Sequence, residues 1–116
     1  MNQERRKNLL KLKEELQKFA VANLPAARQL LTAATELKAD LESCQEEEQE
    51  AFDNMPEGLQ SGDKGERAQA AIDALGIAVD EAGNVEEKLN NIVDAVDGIE
   101  EDCQAIESAI DEATDA

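Results

Sequence analysis

From Val85 onward the apolar residues fall at Val85, Leu89, Ile92, Val96, Ile99, Cys103, Ile106, Ile110 and Ala113, in alternating steps of four and three over four heptads. Strands alternate every second residue, so this period dictates a helix. A sustained 3.5-residue repeat also keeps its apolar seam turned to one side, where another helix must lie. The first question is therefore which helix covers it.

Upstream, Leu9, Leu12, Leu16 and Phe19 recur at the same steps and predict a helix over about 3–22. Asn23-Leu24-Pro25 then reads as a break or kink, because the residue before proline is pushed away from helical geometry, and Asn23 can cap a second helix over 25–53. Leu30, Ala34, Leu37, Leu41 and Cys44 form its seam. Asp63-x-x-Glu66 reads as a capping box opening a helix over 64–82, with a seam of Ala68, Ile72, Leu75, Val79 and Ala82. Between Ala82 and Val85 the step is three where four is due, which calls for a local over-winding or a break at Gly83 before the last helix, 85–113. A continuous but kinked helix is the preferred reading. Gly76 and Gly98 interrupt these helices at about 1 kcal/mol each relative to Ala and would let another helix approach closely.

The expected fold is all-α and a single domain over 1–116, either a long antiparallel helical hairpin or coiled coil, or an irregular three- to four-helix bundle. A hairpin turning at 54–63 pairs residues whose numbers add to about 117, which sets Cys44 opposite Asp73 and Cys103 opposite Glu14. With 41% hydrophobic residues but only 2% aromatic and neither Trp nor Tyr, the core must be aliphatic and thin. Full burial of a Leu or Ile contributes roughly 1.5–3 kcal/mol before ordering entropy is counted. Association with further copies of the chain is the expected remedy.

The absence of histidine removes the commonest general base and metal ligand, and every imidazole-dependent triad. Paired carboxylates could act as acid and base, but they need a cleft with distinct environments and, for sugars, aromatic walls. No enzymatic activity, cofactor or metal is expected. Cys44 and Cys103 have no CxxC spacing, and reduced thiols in a cytoplasmic protein are the expectation. No apolar run is long enough for a membrane span.

The net charge of −17 is divided unevenly. Residues 1–38 carry eight of the eleven bases against four acids, whereas residues 39–116 carry three bases against 24 acids. Between Asp94 and Asp115 stand nine acids and no base, including Asp94, Asp97, Glu100, Glu101 and Asp102, the candidate partner-binding residues. Such a rod attracts cationic protein surfaces and repels nucleic acid, so direct nucleic-acid binding is not expected. Over about 33 Å of helix it carries about half the charge density of duplex DNA, so DNA mimicry would need a neighbouring acidic helix as well. At the other end Arg5, Arg6, Lys7 and Lys11 form a basic arm suited to the phosphates of a small nucleotide, although without the aromatic residues of a strand-binding surface.

One segment stands apart. In residues 46–75 the run Glu47-Glu48-Gln49, Phe52-Asp53-Asn54-Met55-Pro56-Glu57-Gly58-Leu59-Gln60, then Gly65-Glu66, resembles a motif of small acidic helical proteins encoded by phages and prophages. The resemblance covers about a quarter of the chain. It implies a phage or prophage origin and an accessory role, without any activity to carry over residue by residue. Physically, Asn54 can cap one helix end, Pro56 can begin a short turn with Glu57 at its positive end, and Gly58, Gly62 and Gly65 can supply unusual dihedrals. Phe52, Met55 and Leu59 are expected to fold over the end of the hairpin.

Three functions are compatible with these features. The leading expectation is a non-enzymatic inhibitor that occupies a host defence protein, such as a nuclease or CRISPR effector, through its acidic helices. The alternatives are an oligomeric sponge holding a signalling nucleotide with its basic arms, and a structural or assembly protein of the virion.

Overall fold

The computed structural model describes residues 1–116 and contains three helices and no strand: α1 (Gln3–Asp53), α2 (Glu57–Gln60) and α3 (Asp63–Asp115). The fold is all-α, as the heptads require: a helical hairpin in which α1 and α3 pair antiparallel and α2 is a single turn in the connection. By packing it divides into two compact units, 1–31 with 89–116, and 32–88.

Neither Pro25 nor Gly83 breaks its helix, which overturns the expected boundary at Asn23–Pro25 and agrees with the preferred continuous reading at Gly83. Pro25 lies inside α1, which runs on through Asn23 and Leu24. The proline costs the bond to the carbonyl four residues back, that of Val21, which lies on the exposed side of the helix. Helix α3 likewise passes through Gly83 without a break. Its inward residues Ala68, Ile72, Leu75, Val79, Ala82, Glu86, Leu89, Val93, Val96, Glu100, Cys103, Glu107, Ile110 and Thr114 keep strict three–four alternation. No register slip exists. The sequence suggested one because before Ala82 the apolar residues fill both inward rows, whereas after it they fill one inward row and one outward row.

This is clearest in heptad terms. With Ala82, Leu89, Val96, Cys103 and Ile110 at position a, the second inward row is e (Glu86, Val93, Glu100, Glu107, Thr114). Position d, holding Val85, Ile92, Ile99 and Ile106, is 43–49% exposed. Helix α1 follows the same rule. Leu9, Leu16, Ala27, Ala34 and Leu41 at a, and Lys13, Ala20, Leu24, Leu31, Lys38 and Gln45 at e, face inward, whereas Leu12, Phe19, Leu30 and Leu37 at d are 50–58% exposed. The inward residues Leu16, Ala20 and Leu24 are two successive steps of four, a stutter that shifts the repeat just before Pro25.

Facing pairs also lie further along than a symmetric turn predicts. Lys38 meets Glu86 and Arg28 meets Asp97, so facing numbers add to 124 and 125 rather than about 117. Cys103 stands beside Leu16, Ala20 and Leu24, not Glu14. Both cysteines are free, Cys44 exposed and Cys103 buried.

In the unit 32–88 the core is Ala34, Ala68, Ile72 and Ala82, with Lys38 reaching over Gly83 to Glu86 at 3.6 Å. The connection is built by backbone bonds: Asn54 N donates to Glu50 O (3.0 Å), Met55 N to Phe52 O (3.1 Å), and Leu59 N and Gln60 N to Pro56 O (2.8 and 3.1 Å). Pro56 caps α2, with Glu57 in its first turn. Gln60 Nε2 donates to Phe52 O at 2.9 Å and ties the turn to the end of α1. No residue, glycine included, has positive φ, so the expectation of unusual glycine dihedrals is wrong. Nor is Asp63-x-x-Glu66 a capping box: Glu66 N donates to Gly62 O at 3.0 Å, and Asp63 is itself the first helical residue. Phe52 and Met55 are half-buried, but Leu59 is 47% exposed and does not fold inward.

Candidate partner-binding surface

The unit formed by 1–31 and 89–116 holds both candidate charged segments. Its core is shallow, with only Leu24, Ala27 and Cys103 buried. Ion pairs line one side of it. Arg28 binds Asp97 at 2.5 Å and Glu100 at 2.8 Å, and Lys13 binds Asp111 at 2.7 Å. The hydrogen bond to Asp97, then that to Glu100, holds the Arg28 guanidinium above its ordinary value, and the bond to Asp111 does the same for Lys13.

The five acidic candidates therefore separate. Asp97 and Glu100 turn towards α1 and are engaged by Arg28. Asp94, Glu101 and Asp102 are exposed and make no ion pair. Asp94 and Glu101 are seven residues apart and lie on one row, about 10.5 Å apart along the axis. Sequence alone does not single out Arg28: it is one of the eight bases of residues 1–38, and nothing in its local sequence signals two carboxylates about seventy positions away.

The basic arm divides between structural contacts and the helix surface. Arg6 Nε donates to Thr114 O at 2.9 Å and fastens the first turns of α1 to the last turn of α3. Arg5 contributes its backbone amide to Asn2 Oδ1 at 2.8 Å, making Asn2 the cap of α1. Lys7 and Lys11 are exposed and, four residues apart, share one face of the helix. The cleft of about 340 Å³ in this unit has Leu16, Ala20, Leu24 and Cys103 along its floor and Arg28, Glu100 and Glu107 at its edge, but none of these four basic residues. The hinge residues Phe52, Asn54, Pro56 and Gly58 sit in the connection and serve the reversal described above.

No cluster of His, Cys, Asp or Glu has the geometry to hold a metal ion, and no helix is long and apolar enough to cross a membrane. Comparison with known proteins gives no family model, no curated protein and no solved structure that matches this chain.

Proposed function

We propose that this chain is a non-enzymatic accessory protein of phage or prophage origin that occupies a cationic surface on a host defence protein with the exposed acidic face of α3. The observation that carries the reading is the division of the carboxylates. Asp97 and Glu100 share the single charge of Arg28 within the chain, whereas Asp94, Glu101 and Asp102 face outward with no cation opposite them. An anionic row without intrachain counter-charge directs its field into solvent, steers a basic partner and discriminates against acidic ones. The resemblance of the hinge motif supplies the class of partner.

The test is capture of partners from defence-bearing host cells with the wild-type chain and with Asp94→Lys/Glu101→Lys. The wild-type complex should weaken steeply between about 0.05 and about 0.5 M salt, as the Debye length shortens. The double reversal should lower affinity at least tenfold without loss of helicity. A partner held equally well by both proteins at both salt concentrations contradicts the proposal.

A further inference from the structure

Each helix of the unit 1–31 with 89–116 turns rows a and e inward and leaves row d outside. Two antiparallel helices that meet through the same two rows are related by a two-fold axis perpendicular to both, so their d rows emerge on the same side. The ion pairs of Arg28 and Lys13 involve rows b and e, and occupy the opposite side. With facing residues summing to about 124, Phe19 stands level with Ile106 and Ala26 with Ile99, and Leu30 is about 3 Å along the axis from Ile92. The exposed apolar residues thus form rungs across both helices. Beside them the flanking g positions include Ala26, Ala95 and Ala109, exposed and small enough for close helix approach, with Asp102 between the last two.

We infer that this face is the interface of a two-fold dimer of the chain, a four-helix bundle in which α1 of each copy lies over α3 of the other. The area agrees. The chain exposes 8275 Å², about 2,000 Å² more than the roughly 6,200 Å² of a folded monomer of 12.6 kDa. A standard interface takes only about 800 Å² from each partner. Charge selects the symmetry. Residues 1–31 carry seven bases and three acids, net +4, and residues 89–116 carry nine acids and no base, net −9. A two-fold axis along the helices sets each +4 segment over a −9 segment. An axis across them stacks −9 on −9. The amino termini of the two copies therefore lie at the same end. This surface is distinct from the outward Asp94/Glu101 row, so the dimer and the proposed partner can be tested separately.

Sedimentation equilibrium and native mass measurement should give twice the chain mass at micromolar concentration. Ile99→Ala should raise the dissociation constant at least tenfold with unchanged helicity, and Phe19→Glu/Ile106→Glu at least a hundredfold. Ile77→Glu, an exposed apolar position outside the face, should leave the mass unchanged. Dipolar spectroscopy on spin labels at Asn8→Cys, in a Cys44→Ala/Cys103→Ala chain that retains the dimer mass, should give a short distance between copies. A monomer at all concentrations, a trimer or larger assembly, a dimer indifferent to Ile99→Ala, or labels separated by the length of the helices would each overturn the inference.

Discussion

Gly65 sits so close to Gln60 that a β-carbon on it would coincide with the Gln60 carbonyl. The neighbour is backbone rather than a movable side-chain tip, so the turn after α2 can form only if position 65 lacks a side chain. Gly65→Ala should lower stability by about 1–3 kcal/mol, the usual range for overpacking, read as a shift in urea midpoint at fixed chain concentration. Gly98 lies mid-helix with open space around its Cα, and Gly98→Ala should raise stability by about 1 kcal/mol. Equal effects at the two positions would contradict this account of the hinge.

Pro25 is exposed within α1 and makes no hydrogen bond that alanine would lose. Replacing it with Ala restores an amide donor for the Val21 carbonyl and removes the clash of the ring with that carbonyl. Thermal unfolding of Pro25→Ala should show a gain of up to about 3 kcal/mol. A loss would mean that the stutter at Leu16, Ala20 and Leu24 depends on the proline.

The Lys13 ammonium is held above its ordinary value of 10.5, chiefly by its hydrogen bond to Asp111. A raised folded value means that the ion pair's stabilisation is complete below about the unfolded lysine value and is lost as pH rises through the folded one. Stability should be flat with respect to this group near neutrality and decline above pH 10.5. Lys13→Met should remove that part of the decline. Because the pair is exposed to solvent, the effect should also shrink with added salt.

The two thiols should differ in reactivity. Cys44 lies on the exposed row of α1, whereas Cys103 is buried between Leu16, Ala20 and Leu24. Alkylation under native conditions, followed by peptide mass mapping, should modify Cys44 and spare Cys103 until denaturant is added. Simultaneous modification would show that the pair of helices opens readily in this unit.

Much of this architecture is legible in the residues. The helical period, the reversal at 54–63 and the seam from Ala68 to Val79 all follow from apolar spacing and from the placement of proline and glycine. The choice of inward rows after Ala82 does not. Hydrophobicity favours the isoleucines at 92, 99 and 106 over Glu100 and Glu107, yet the carboxylates face α1. Long charged residues lay aliphatic stems over a seam and keep their ends in water, and the cations beside them come from the other end of the chain: Arg28 pairs with Glu100, and Lys13 with Asp111, one turn beyond Glu107. A local pattern carries no record of such a partner. The acidic candidates divide for the same reason: Asp97 and Asp94 look alike in sequence, and only Asp97 has Arg28 beside it. Pro25 misled in the opposite direction, because a helix paired along one side tolerates a missing bond on the other.

The stutter on α1 has a consequence for alignment. Two helices with unbroken heptads can slide past each other by seven residues and find nearly equivalent packing, so such pairs are prone to competing registers. Here α3 keeps a strict repeat while α1 loses phase once, between Leu16 and Leu24. Like the mismatched scales of a vernier, the two repeats coincide at one setting. A seven-residue slide would carry Ala20 and Leu24 away from Cys103 and would separate Arg28 from Asp97 and Glu100 together. The interrupted heptad thereby selects a single alignment of two otherwise repetitive helices.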